Sequence, residues 1–332
     1  MKNLKLKLVA AASTMVMLGA AGSAQAGSHA LAAMNIQNFN IVTTNVSFFA
    51  SVDTSSTSAI LNGAGAGPNG GTGISDANIA VAPGSNPVLG NNAAFTGGTI
   101  TPVGRALPAT NYSYADALIE HGPGGGLPFN AYTIAESHLR DAGSASGTST
   151  NSSATGFTAS FTAGQGATLD FSFLADPLIR TFLQPTTGTF AQGTLSASLT
   201  IACASSVGCG TLPDGSTIME GETVFSWAPN GRAGGANGVT GLIGGMEYLD
   251  AENLNQSISR LTAGESNYSD LATLGAFRAM TGILNAGSYT LTLAMTSTDS
   301  TRKAVPEPGS LALLGLGLGG LGLMGRRRQR KA

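Results

Sequence analysis

Apolar residues recur at every second position through much of this 332-residue chain. Leu195, Ala197, Leu199 and Ile201 alternate with Thr194, Ser196, Ser198 and Thr200, and Tyr289, Leu291, Leu293 and Met295 alternate with Thr290, Thr292 and Thr296. Successive side chains of a strand point to opposite faces, so the pattern gives each segment one apolar and one polar face. Leu169, Phe171 and Phe173 follow the same rule, as do Phe157 and Phe161, and Thr223–Trp227 reads as a further strand. Residues 39–52 form a long β-prone run. No 12-residue window carries a convincing 3.6 period; residues 114–120 and 250–259 are the places where a short helix could form.

Turn residues fall between these runs at Ala163-Gly164-Gln165-Gly166, Pro213-Asp214-Gly215, Pro229-Asn230-Gly231 and Asn285-Ala286-Gly287. The pattern predicts a mainly β protein, an antiparallel β-sandwich of jelly-roll or immunoglobulin-like arrangement. Its core is expected at about residues 150–300, with a contribution from 39–52. Residues 54–108 are rich in Gly, Asn, Ser and Pro and read as long loops, with short strands at 78–82 and 99–103. Residues 144–155, dominated by Ser, Thr and Gly, read as an internal linker.

The two ends are of another kind. Lys2, Lys5 and Lys7 precede an apolar stretch at 8–21, and Ala24-Gln25-Ala26 puts small residues where signal peptidase needs them. Residues 1–26 therefore read as a signal peptide, a helical segment removed by cleavage before Gly27. At the far end, the 17 residues 309–325 are Leu- and Gly-rich, at the low edge of a membrane-spanning helix. Arg326, Arg327, Arg328, Arg330 and Lys331 follow as a basic stop at 326–331, which the positive-inside rule keeps cytoplasmic. Each glycine in such a helix costs up to about 1 kcal/mol relative to alanine, which suits a transient span in the inner membrane.

Ahead of that span lies Val305-Pro306-Glu307-Pro308-Gly309-Ser310. This hexapeptide, a Leu/Gly-rich span and a terminal Arg cluster, in that order over residues 305–331, resemble the PEP-CTERM sorting signal of Gram-negative bacteria. The resemblance implies that exosortase, a membrane-embedded cysteine transpeptidase, cleaves near Pro306-Glu307-Pro308. It also implies release or attachment at the cell surface, in organisms that make exopolysaccharide. Val305, Pro306, Glu307 and Pro308 are then a substrate site for another enzyme.

Without its ends the exported region, residues 27–304, keeps eight Lys and Arg against 17 Asp and Glu, a net charge of about −9 where the whole chain has −2. Nucleic acid binding needs a basic surface, so that class is excluded. Cys203 and Cys209 are the only cysteines, and in an exported chain their spacing reads as a disulfide worth about 2 kcal/mol. A redox or metal pair lacks both the C-x-x-C spacing and a neighbouring histidine.

Three histidines are too few for a persuasive catalytic set. His29 is expected in a frayed N-terminus, while His121 and His138 could pair with Asp116 or Asp141 in a hydrolase, although no Gly-x-Ser-x-Gly elbow is present. Asp214, Glu220 and Glu222, and separately Glu247, Asp250 and Glu252, lack calcium-loop spacing, so no metal and no cofactor are assigned. Gly65 to Gly70 spells G-x-G-x-x-G but opens no helix, as a dinucleotide site requires.

The sequence therefore predicts an exported, exosortase-sorted protein of the cell surface or extracellular matrix, with a non-enzymatic structural or adhesive role beside exopolysaccharide. Signal peptidase and exosortase are its expected processing partners. A carbohydrate-binding module is the second reading, with Trp227, Tyr248, Tyr268 and Tyr289 as the aromatics to test; Trp227 and Tyr289 also suit the core. A secreted hydrolase is the third.

Overall fold

A computed structural model describes residues 27–85, 90–104, 111–123, 127–140, 143–150, 156–184, 189–269 and 274–303, with backbone alone at 96–97 and 143–150. Fifteen strands follow one another along these residues. They are β1 (Ser28–Leu61), β2 (Ala64–Thr72), β3 (Asp76–Val81), β4 (Tyr112–His121), β5 (Phe129–Leu139), β6 (Gly143–Thr150), β7 (Gly156–Leu183) and β8 (Phe190–Cys203). Then come β9 (Thr223–Trp227), β10 (Val239–Thr240), β11 (Gly245–Asp250), β12 (Ser257–Arg260), β13 (Gly264–Tyr268), β14 (Gly275–Thr281) and β15 (Gly287–Lys303). Every ladder between them is antiparallel, and all belong to one hydrogen-bonded sheet.

Two long strands make the sheet turn back on itself. β1 and β7 pair from Ser28↔Leu183 to Thr54↔Gly156, with register shifts at Gln37/Asn40, Thr44/Val46 and Phe48/Ala50. Asn38 and Asn45 stand beside two of these shifts at φ 54° and 55°, a left-handed conformation that asparagine tolerates and that a bulge needs. Opposite the second shift, Gly166 at φ 78° lies inside β7, so residues 163–166 bend a continuous strand instead of closing a hairpin. β15 borders β7 through 287–293 and β8 through 289–302, and β8 comes to rest across β1 and β7. There a Cβ on Gly193 would stand 2.7 Å from the Leu31 carbonyl oxygen and 2.6 Å from Ile179 Cγ2, so only glycine allows that approach.

The facing layers enclose a core to which the alternating residues of β7, β8 and β15 contribute. At its centre Phe173 lies 6.0 Å from Phe39, 5.0 Å from Phe277 and 5.5 Å from Trp227 between ring centroids. Each fully buried ring of this kind contributes about 2–3 kcal/mol of transfer free energy. The core draws on the expected run at 39–52 through Phe39 and Ile41 of β1, and extends past it to Met34 and Ile36 of β1 and Phe129 of β5.

A second cluster covers the other face of β1, β4 and β5. Ala94 and Phe95 of the 3-10 turn Ala93–Gly98, with Ile100 and Val103, pack on Leu31, Tyr112, Tyr114, Tyr132 and Ile134. This arrangement explains where the sequence reading departs from the structure. β4 occupies the possible helix at 114–120, and its residues are buried on both faces, which erases the alternation. Residues 250–259 hold the end of β11, bends and the start of β12. In the Gly-rich stretch 54–108, β2 and β3 form; residues 99–103 bury Ile100 and Val103 without becoming a strand. Residues 144–150 of the expected linker belong to β6, whose backbone pairs with β1 on one side and β15 on the other; 151–155 lie outside the described residues.

Candidate functional site

The alternating run of β15 ends at Lys303, and the segment that carries the sorting signal follows directly. Val305, Pro306, Glu307, Pro308, the apolar span and Arg326, Arg327, Arg328, Arg330 and Lys331 lie outside the described residues, as do Ala24, Ala26 and the signal helix. Among the described residues no helix is long and apolar enough to cross a membrane. Gly27 is described and buried; its N–H donates to Gln184 Oε1 at 3.0 Å, and its carbonyl accepts from Gln184 N at 2.9 Å.

His29 is the first correction among the candidate residues. It is not frayed but 4% exposed in β1, and its Nε2 lies 2.9 Å from Glu136 Oε1. Four more donors reach the same carboxylate: Val103 N at 2.9 Å, Gly104 N at 2.8 Å, the Tyr112 hydroxyl at 2.9 Å and the Tyr114 hydroxyl at 2.6 Å. Burial alone would raise the Glu136 carboxyl. The hydrogen bond and attraction of His29, then Tyr114 and Gly104 N–H, outweigh it and hold the group below its ordinary value. Burial and the facing carboxylate push both tyrosines up, so they remain donors. Chemically this is an anion holder already filled by its own glutamate, pinning residues 103–104 to β1, β4 and β5.

The other histidines are divided by the fold. His121 ends β4 with Nε2 at 2.6 Å from Asp53 Oδ2, while His138 in β5 lies against Tyr112, ring centroids 5.6 Å apart. Asp116, one expected partner, instead accepts from Asn92 N at 2.8 Å and Ala117 N at 3.0 Å, and burial pushes its carboxyl up to about 7. Asp141, the other, lies outside the described residues. The bridge Cys203–Cys209 is formed, with Cα atoms 5.8 Å apart, beside the buried Tyr289.

A second buried acid lies at the edge of the core. Trp227 Nε1–H donates to Glu247 Oε1, whereas Glu247 Oε2 and Asp250 Oδ1 are buried with no hydrogen-bond partner. Asp250 Oδ2 is well supplied, accepting from the N–H groups of Asn230, Gly231 and Arg232 at 2.7, 2.8 and 3.2 Å. Burial, then the nearby Asp250, push the Glu247 carboxyl up to about 7 despite the Trp227 bond. Both carboxylates are buried. Among the described residues no group of three or more His, Cys, Asp or Glu could hold a metal ion.

Of the four aromatic candidates, Trp227 and Tyr289 are core residues, 0% and 1% exposed. Tyr248 is open to solvent with the Arg278 guanidinium 5.1 Å from its ring centre. Tyr268 lines a polar cleft of about 390 Å³ with Asn230, Glu252, Asn253 and Gln256, its hydroxyl accepting from Asn253 N at 2.9 Å. An apolar cleft of about 380 Å³ lies elsewhere, between Phe48, Phe49, Leu127 and Phe157. Sequence reasoning named Tyr268 without the cleft around it, and missed the apolar cleft and the Glu136 cluster, each assembled from segments far apart in the chain.

No curated protein and no solved structure matches the chain. The family model of the PEP-CTERM protein-sorting motif matches residues 304–329, and the match is confined to that segment. The motif starts one residue after β15, the strand that closes the described part of the sheet. The chain thus carries at its C-terminus the PEP-CTERM sorting motif of an exported protein that exosortase processes and that resides at the cell surface or outside the cell.

Proposed function

We propose that the protein is a non-enzymatic structural or adhesive component of the cell surface or extracellular matrix, acting beside exopolysaccharide. The single observation that carries this reading is the sorting motif joined directly to an acidic, strand-built exported region. Several features agree with it. The sheet folds back into two layers around one core, which we read as a β-sandwich without assigning it to the jelly-roll or immunoglobulin arrangement. The buried polar groups spend their hydrogen bonds on fastening strands together: Glu136 holds residues 103–104, and Thr133 meets Ser297 at 2.6 Å between β5 and β15. In this account signal peptidase cuts before Gly27, the C-terminal helix at 309–325 enters the inner membrane transiently, and exosortase acts at Pro306-Glu307-Pro308.

The cleft at Tyr268 favours the second reading, a carbohydrate-binding module. An aromatic face flanked by Asn, Gln and Glu side chains is chemistry suited to sugar hydroxyls. Retention of the processed protein on the host's own exopolysaccharide, with Tyr268→Ala and Asn253→Ala beside wild type, separates the two. Binding that drops about tenfold or more in either variant makes the protein a lectin; retention that is absent, or unmoved by both, leaves the structural role.

A further inference from the structure

Both ends of the described chain leave the sheet at one corner. Ser28 opens β1 opposite Leu139 of β5, and Gly27 is clamped by Gln184 just beyond β7. β15 reaches the same place along β5: Ser137 donates to Asp299, the Thr301 hydroxyl lies 3.1 Å from that of Ser137, and Lys303 Nζ donates to the Arg140 carbonyl. The next residues, from 304 on, belong to the sorting segment.

Basic residues gather here too. Of the eight in the exported region, Arg140, Arg302 and Lys303 belong to the corner itself. Arg180 pairs with Leu31, three residues into β1, and Arg260 pairs with Ala191, itself opposite Thr301. Arg302 is exposed and the other four are half-buried. Arg105 lies outside the described residues, and Arg232 and Arg278 sit elsewhere, near Asp250 and Asp170. Acids near the corner are fewer: Glu265 opposite Phe182 is exposed, Glu136 and Asp299 are buried, and Asp141 is outside the described residues. Asp214, Glu220 and Glu222 lie at the disulfide end. In a region with net charge of about −9, five of the eight basic residues thus lie at or near this corner.

We propose that the corner formed by Arg140, Arg180, Arg260, Arg302 and Lys303 rests on anionic phospholipid while the C-terminal segment is embedded. The domain then stands on this end, and the sorting motif is held at the bilayer surface. Clustered Lys and Arg beside a membrane segment are attracted to anionic headgroups, and the attraction fades within a Debye length and with added salt.

The test uses the full chain reconstituted in vesicles of phosphatidylcholine alone, or with about 30% phosphatidylglycerol. Amide hydrogen exchange is followed at residues 139–140 and 300–303. The proposal expects exchange there to slow several-fold in the anionic vesicles, and the difference to vanish at about 0.5 M salt. Arg302→Gln with Lys303→Gln should remove the difference while exchange in the β1–β7 core is unchanged, and Arg232→Gln should preserve it. Equal exchange in both vesicles, a lipid effect that survives the double substitution, or failure of the full chain to stay with either vesicle overturns the proposal.

Discussion

Glu136 and Glu247 are both buried acids, 0% and 1% exposed, and the fold treats them in opposite ways. Glu136 is met by five donors drawn from β1, β4 and residues 103–104, which keep it ionised. Glu247 has the Trp227 indole on one oxygen, an orphaned second oxygen and Asp250 nearby, so its proton affinity rises. Desolvation acts on both; the supply of donors decides the outcome. The first site is a fastener whose strength depends on charge. The second tolerates its acid best when the charge is gone.

The largest expected effect is at the saturated site. Glu136→Gln replaces an acceptor oxygen with an NH₂ group facing donors, and should lower stability by about 3 kcal/mol at neutral pH in denaturant unfolding. A loss below about 0.5 kcal/mol would mean that the five bonds do not act together. Trp227→Phe comes next: it removes the one donor to Glu247 and leaves a gap in the core, for about 2 kcal/mol. That loss should be greater at pH 8 than at pH 5, because an ionised Glu247 needs the indole more.

Glu247→Gln has the smallest cost and the most telling pH dependence. A carboxyl whose folded value is raised to about 7 from the ordinary 4.5 favours the fold below 4.5, and that contribution is lost as pH climbs through about 7. Asp116, also raised to about 7, acts in the same direction. Glu136 has the reverse sign, contributing above the ordinary carboxylate range and losing its contribution as pH falls through its lowered folded value. Glu247→Gln should therefore flatten the decline in melting temperature between pH 5 and pH 8, and be neutral or stabilising at pH 8. An unchanged slope would break the contrast between the two acids.

How much of this could be read from the chain depends on how local each signal is. The alternation in β8 and β15, the disulfide loop and the C-terminal motif are carried by residues adjacent in sequence, and the structure and the motif match agree with them. β1 was only partly legible. Its first half, His29-Ala30-Leu31-Ala32-Ala33-Met34, is buried on both faces and so lacks a polar phase. Residues 94–98 read as loop and 99–103 as a short strand, because a few apolar side chains spaced along Gly- and Thr-rich chain suffice to cover a sheet face. The Glu136 site could not be foreseen: His29, Val103, Tyr112, Tyr114 and Glu136 share no spacing, and only the register of β1, β4 and β5 brings them together.

The central claim is that residues 304–329 determine the fate of the whole exported region. Intact-mass measurement and cell fractionation of wild type beside the triple substitution Pro306→Ala, Glu307→Ala, Pro308→Ala test it most directly. The account predicts a wild-type protein shortened near residue 306 at the surface or outside the cell, and a triple variant that keeps its C-terminal segment and stays with the inner membrane. Identical masses and locations for the two would contradict it.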